Sequence, residues 1–392
     1  MATIKKRGDS YLIRVSCGYD VNGKHKEQSM TWRPDEGMTK KQIEKELNRQ
    51  AVMFEEKCKH GYQSYTVKFE QFCEEWDENY AKIALRNTTY VRMQQLKGRV
   101  NKAIGHLRMD KITARHIQGF INSLNKPGAN ERTGQPLAPK TIRHYLTLIS
   151  DVFNYGVRMG VVSDNPCSKV TLPKNTAKEK QIYSQEEMTR FLNLLADEPI
   201  KYKAFFYLIA YTGFRRGEML GLEWKDVDFE NNIISVERTS NYTSDKGTYT
   251  DTTKTKRSQR TVKIAPEIMS LLKELREHQD EQALKIGNKW IENDRLFTTW
   301  NGSPMDLNTP YNYLRKFCKA HDLPFYGIHQ FRHFAASALI SAGLDITTVS
   351  GALGHSCSGT TLNTYSHMFQ TAQAKIANAM NGAFGFLSSE DM

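Results

Sequence analysis

The chain has 392 residues, 39% hydrophobic and 25% charged, with a formal net charge of +12 and a pI near 9.2. That length exceeds what one hydrophobic core usually serves, so two or three domains are expected, and the composition fits a globular fold over a disordered one. The basic excess points to a polyanionic partner, nucleic acid before membrane surface, although a merely soluble basic protein would have the same totals.

The charge is unevenly spread: +4 over residues 1–60, +9 over 61–180 and −1 over 181–392. A polyanion gripped by the front of the chain, with chemistry carried further on, fits this distribution. Six cysteines (Cys17, Cys58, Cys73, Cys167, Cys318, Cys357) are scattered without CxxC or zinc-ligand spacing, which suggests free thiols in a reducing cytoplasm. No apolar run reaches membrane-spanning length, no signal-peptide core opens the chain, and no GxxxxGK[ST] phosphate loop occurs.

In chain order, "TIKKRG", "SYLIRVSC" and "KEQSMTWR" read as three strands with turn residues such as Asn22-Gly23 between them. Thr39 and Gln42 form a capping-box pattern ahead of the helix "KQIEKELNRQAVMFEEKC". A strand face carrying Arg14, Lys24, Lys26 and Arg33 suits entry into a DNA groove; a small structural cap with solvated charges is the other reading. Residues 64–160 read as all-helical, with Trp76 and Phe153 on apolar stripes and Arg92, Lys97, Arg99, Lys102, Lys140 and Arg143 on polar faces that can track phosphates.

Residues 161–183, with two prolines and few apolar positions, read as a linker that ends at a second capping box, Ser184 to Glu187. The segment that follows combines helices near 185–196, 201–212, 266–284, 308–320, 330–342 and 345–353 with strands near 233–238 and 260–264. The expected organisation is therefore 1–63, 64–160, a linker 161–183, a larger unit 184–382 and a tail 383–392. The fold class is multidomain and mainly α with small β-sheets: a three-stranded sheet plus helix, a helical domain, and a mixed α+β domain.

Chemistry concentrates in that last unit. In "YTGFRRGEMLGLEW", Arg215 follows a glycine at a helix start, where a guanidinium adds a two-pronged anion donor. In "GIHQFRHFAASAL", His329 and Arg332 are one turn apart and share a helix face. A metal reading pairing His329 with His333 lacks the glutamate of HExxH and has an arginine between the histidines, which disfavours a cation. "LGHSCSGTTLNTYSHM" supplies His355 and Tyr365, and "TTKTKRSQRTVKI" supplies Lys254 in a hairpin between strands.

Two arginines can neutralise the nonbridging oxygens of a phosphodiester transition state without a metal. A tyrosine hydroxyl can form a covalent phosphoester, and histidine or lysine can move the proton. Tyr365 lies among Thr360, Thr361 and Thr364, which suit a solvent-facing loop or short helix more than a core.

"TGFRRGE", "HQFRH" and "LGHSCSGTTLNTYSHM", in this order and with a lysine segment between the first two, resemble the boxes of the tyrosine recombinase (phage integrase) family. The likeness covers roughly residues 180–382; residues 64–160 are similar to the family's core-binding domain and 1–63 to the arm-type DNA-binding domain of larger integrases. The whole chain is most similar to integrases of Gram-positive conjugative transposons.

The resemblance implies a site-specific DNA recombinase that integrates and excises a mobile element, a DNA recombination and transposition activity needing no cofactor, metal or ATP. In it Tyr365 is the nucleophile, forming a 3′-phosphotyrosine. Arg215 and Arg332 clamp the phosphate, His355 adds a hydrogen bond, His329 assists proton transfer, and Lys254 protonates the 5′ leaving oxygen, with Lys256 and then Lys263 as the other lysines in range. Glu218 supports the Arg215 loop. Implied partners are double-stranded DNA at core and arm sites, a homotetramer on synaptic DNA, an excision accessory protein and a host DNA-bending protein. The implied location is the bacterial cytoplasm, without a membrane partner. A tail after Tyr365 docks on its own protomer or on a neighbour. A type IB-like topoisomerase and a catalytically inactive DNA-binding regulator are the competing functions.

Overall fold

The computed structural model describes residues 2–19, 25–59, 67–174, 181–252, 259–354 and 359. The chain forms two compact units, Met1–Ala177 and Lys178–Met392.

In the first unit, β1 (Thr3–Arg7), β2 (Ser10–Tyr19) and β3 (His25–Trp32) make an antiparallel sheet in the order β1-β2-β3. Alternation along β2 sends Ile13 and Val15 to one face, where they bury against Leu47, Ala51 and Phe54 of α1 (Lys40–Lys59). Those three α1 residues recur at four- and three-residue spacing, the stripe a helix needs to cover a sheet. At the start of α1, the Thr39 N–H donates to Gln42 Oε1 at 2.9 Å and the Gln42 N–H to Thr39 Oγ1 at 3.4 Å, the expected capping box. The turn expected at Asn22-Gly23 lies outside the described residues.

The described remainder of this unit is mainly helical. The helix α2 (Phe69–Trp76) continues through a π-helical stretch, Asp77–Ala81, into α3 (Lys82–Ala84). The helix α4 (Asn87–Val100) continues into a second π-helical stretch, Asn101–Gly105, and α5 (Ala114–Leu124) and α6 (Pro139–Arg158) follow. Apolar positions of α6 at helical spacing (Ile142, Tyr145, Ile149, Val152, Phe153) face Phe69, Phe72, Trp76, Ile117 and Ile121. Trp76 and Phe153 are 1% exposed, core residues as their stripes predict. Gly156 is needed on α6, because a Cβ there would sit 3.2 Å from Val162 Cγ2 and 3.3 Å from Phe72. Val161, Val162 and Cys167 are buried in this same core, and Asn165 Nδ2 donates to the Ser150 carbonyl (3.2 Å) and Asn154 Oδ1 (2.8 Å). The front half of the stretch read as linker thus packs as part of the helical core.

In the second unit, α7 (Gln185–Leu194) starts at Ser184, whose Oγ accepts from the Glu187 N–H (3.1 Å) while Glu187 Oε2 accepts from the Ser184 N–H (2.8 Å). The helix α8 (Ile200–Thr212) is central: Phe205, Phe206, Leu208 and Ile209 are all buried, so its apolar surface runs nearly all round. After it come α9 (Arg216–Gly221), β4 (Val227–Asp228), β5 (Ile233–Val236), β6 (Arg238–Thr243), β7 (Gly247–Thr252) and β8 (Arg260–Lys263). The helices α10 (Pro266–Ile286), α11 (Asn308–Ala320), α12 (His329–Ser341) and α13 (Ile346–Leu353) follow. Phe191, Phe206, Phe317 and Phe331 join α7, α8, α11 and α12 through ring pairs with centroids 5.2–5.5 Å apart.

The strands form two antiparallel groups, β4-β5-β8 and β6-β7. This corrects the expected hairpin around Lys254: β7 pairs with β6 and β8 with β5, so the strands flanking that lysine are not each other's partners. Among the described residues no helix is long and apolar enough to cross a membrane.

Candidate active site

The site begins where α8 stops. Gly213 takes a left-handed conformation (φ 62°) and ends the helix. A side chain there would collide with Leu353 and Ala335, at 2.8 and 3.0 Å from its Cβ. The turn is therefore closed down on α12 and α13. Phe214 buries completely, and Arg215 emerges as the N-cap of α9, the helix start expected from its position after a glycine.

Glu218 fixes Arg215. The Arg215 N–H donates to Glu218 Oε2 at 3.0 Å and its guanidinium to Glu218 Oε1 at 2.7 Å. A second nitrogen of that guanidinium donates to the Gly354 carbonyl at 3.0 Å. The Arg215 side chain remains 40% exposed, so it meets solvent while held on two sides. Glu218, 3% exposed, also accepts from Arg260 at 2.9 Å. Burial alone would raise its pKa, but the Arg260 charge and hydrogen bond, with the Arg215 N–H and charge, outweigh it and hold the carboxyl below its ordinary value.

Arg332 approaches from α12. It is 3% exposed, and its guanidinium donates to the Gly213 carbonyl at 2.9 Å. His329, the first residue of α12, is exposed, and its ring meets that of His333 edge-on, with centroids 4.9 Å apart. The structure thus brings Arg215 and Arg332 to the two ends of one three-residue turn, and ties Arg215 to the residue preceding His355. Lys254, His355 and Tyr365 lie outside the described residues.

A residue that sequence reading passed over is Arg260. Its Nε donates to the Ala352 carbonyl at 2.8 Å and its Cζ lies 4.8 Å over the Phe214 ring. The signal available was slight: Arg260 is one of two basic residues on a short strand that follows Lys254, Lys256 and Arg257.

A second buried ionic group lies behind α9. Arg238 pairs with Asp226 and with Glu223 (3.0 Å), while Arg295 donates to the Leu220 carbonyl (3.2 Å) and to Thr250 Oγ1. Gly217 and Gly221 press α9 onto β6, where a Cβ would meet Thr239 Oγ1 at 2.5 Å and the Arg238 carbonyl at 3.0 Å. The β6–β7 ribbon, which leads into the lysine segment, is thereby clamped to the helix that follows Arg215.

The expected DNA-facing residues divide. Arg14 and Arg33 are exposed, and Arg14 is 3.8 Å from Glu27. The register pairs Thr3 with Arg14 and Lys5 with Leu12, so Lys5 and Arg7 share the Arg14 face, a placement that only the strand pairing shows. Lys24 lies outside the described residues, and the Lys26 side chain is likewise not described. Arg92, Lys102, Lys140 and Arg143 are exposed on their helices. Lys97 differs: its ammonium is drawn to the buried Asp77 at 3.3 Å and is only 15% exposed. Arg99 is engaged with the Ala129 carbonyl (2.8 Å) and Glu131 (3.0 Å).

Residues 181–371 match the phage integrase family, and residues 68–125 match the phage integrase N-terminal SAM-like domain. The chain is 28% identical to a tyrosine recombinase XerC-like protein of Caldanaerobacter subterraneus, covering 97% of this chain and 98% of that one. It is also 28% identical to the ICEBs1 integrase of Bacillus subtilis, covering 97% and 99%. Its fold matches the Tn1549 transposon integrase in complex with circular intermediate DNA, with TM-score 0.66 at 20% identity over 80% of this chain and all of that one. It also matches a lambda integrase tetramer bound to a Holliday junction, with TM-score 0.52 at 14% identity over 91% and 94%. Two family matches that follow one another along the chain, relatives similar from end to end, and an arginine turn built as described lead to one conclusion: the chain belongs to the phage integrase family of tyrosine recombinases.

Proposed function

We propose that this chain is the site-specific recombinase of a mobile element and that it cuts and rejoins DNA through Tyr365. The Tyr365 oxygen attacks the scissile phosphorus and forms a 3′-phosphotyrosine while the bond to the 5′ oxygen breaks. The tyrosine proton leaves by way of His329, and Lys254 delivers a proton to the departing 5′ oxygen. Arg215 and Arg332, with His355, neutralise the nonbridging oxygens. Attack by a 5′-hydroxyl of the exchanged strand reverses these steps and frees the tyrosine. The phosphodiester energy is kept in the tyrosine link, so no nucleotide is consumed.

The observation that carries this reading is the convergence of Arg215 and Arg332 on the Gly213–Arg215 turn, with Arg215 bonded to the residue before His355. In this reading residues 64–160, with the 161–167 stretch packed on them, hold core-site DNA and 184–382 cut it, and the rest of 161–183 joins them. Residues 1–63, through Arg14, Arg33, Lys5 and Arg7, bind arm sites, and 383–392 form a tail. Assembly is a homotetramer on synaptic DNA, served by accessory bending and excision proteins.

Covalent trapping tests the proposal. A duplex from the element's own ends, nicked beside the crossover point, should give a denaturant-stable protein–DNA adduct with wild type in the presence of a chelator. Tyr365→Phe should bind the same duplex and give none. An adduct of equal yield from Tyr365→Phe would overturn the assignment.

A further inference from the structure

Arg260 occupies a junction that the recombination chemistry does not itself require. It is on β8, the strand that resumes the chain after the lysine segment. Its guanidinium reaches two elements at once: one nitrogen donates to Glu218 Oε2 at 2.9 Å, and Nε donates to the Ala352 carbonyl at 2.8 Å in the last turn of α13. Its side chain is 8% exposed and stacks over Phe214. Gly354, left-handed at φ 66°, packs directly on it: a Cβ at that position would lie 2.6 Å from Arg260 Nη1. The same Glu218 carboxylate holds Arg215, and Arg215 returns to the Gly354 carbonyl. Arg260, Glu218, Arg215 and the 352–354 segment therefore close a ring, and His355 is the next residue along the chain.

We propose that Arg260 is a positioning residue: it locks the Glu218 carboxylate to the end of α13, so that Arg215 and the chain entering His355 are set as one piece. Its planar fork suits this task, because two donors at fixed separation satisfy a carboxylate and a carbonyl together. The catalytic consequence rests on the recombinase reading above; the bracing itself does not. Loss of the fork releases both the phosphate-clamping arginine and the histidine segment, and small displacements of such groups cost large factors in rate.

The test has two arms on the full chain. In the first, the rate of adduct formation from the nicked duplex is measured at saturating protein for wild type, Arg260→Gln, Glu218→Gln and the double variant. Arg260→Gln should slow the adduct step by about 10- to 100-fold with DNA affinity unchanged, and by less than about threefold when Glu218 is already glutamine. An equal factor in both backgrounds, or a loss of binding that accounts for the slower adduct, would overturn the proposal. In the second arm, hydrogen exchange of peptides within 346–354 should quicken in Arg260→Gln without DNA; unchanged exchange there would also overturn it. If Arg260→Gln does not fold by thermal melting, Arg260→Lys carries both arms, since an ammonium cannot span both acceptors, and full activity of that variant would refute the bracing role. A Tyr365-independent adduct would refute the recombinase reading instead, and the exchange arm would still decide the brace.

Discussion

The helical part of the first unit and the arginine-bearing part of the second are built by opposite means. Around Trp76 and Phe153 the core is apolar and its cations lie mainly on the rim; Asp77, held by Gln94 (2.8 Å) and Lys97, is a buried exception. Around Gly213 and Glu218, by contrast, charged groups share the interior with Phe214, Met219 and Leu353: Glu218, Arg332, Asp226 and Arg295 are all buried. Burying ions is expensive, and a well-packed apolar replacement is often as stable. A protein that keeps them in one place and avoids them in the other uses that place for something besides stability. Here the buried carboxylate aims two arginines, one of them toward solvent.

Three substitutions would break or sharpen that contrast, beside the tests already given. The largest effect is expected from Arg332→Lys, which keeps the charge but loses the fork. Adduct formation should fall about 10²–10³-fold with DNA affinity retained in a gel-shift assay, whereas near-native cleavage would remove Arg332 from the clamp. In the apolar core, Phe153→Ala should destabilise the chain by about 3–5 kcal/mol in urea unfolding, because it removes a fully buried ring from close packing. Its adduct rate per folded molecule should stay within about threefold of wild type. A much slower chemical step would mean that the two regions are coupled more tightly than their separate cores suggest.

Glu218→Gln should affect both quantities, with a stability loss of about 3 kcal/mol at neutral pH, since Arg260 is left buried with its charge uncompensated. Its pH dependence has a definite sign. The folded-state pKa of Glu218 lies below the ordinary value of 4.5, so its contribution is complete above that value. It is lost as pH falls through the folded-state pKa. Acid unfolding followed by tryptophan fluorescence should therefore show a shallower loss below about pH 4.5 in the variant than in wild type. Parallel curves would show that Glu218 carries no such linkage.

Much of the architecture was legible along the chain. Both capping boxes, at Thr39 and Ser184, were visible because a cap is written in four adjacent residues. The long helices were visible because their apolar stripes repeat at 3.6 residues, and the expected 308–320 is the observed Asn308–Ala320. The strand β7 was not foreseen, since six residues hold too little periodicity to show, and of the short helix α9 only its start at Arg215 was legible. The linker was assigned too much chain: Val161, Val162 and Cys167 are few and widely spaced, and only the place left beside Gly156 shows that they are core.

The sequence by itself determined which residue types are the candidates for the chemistry, because the arginine, histidine and tyrosine boxes are local strings that can be read without the packing. It also determined the helical content, through local periodicity. Only the tertiary structure decided that β7 and β8 belong to different sheets, that Lys97 is held by Asp77, and that Arg260 joins Glu218 to Ala352, which lies 92 residues beyond Arg260 itself. Pairings of that kind depend on long-range closure of the chain, and a single guanidinium on a strand looks the same in sequence whether it faces water or spans two elements.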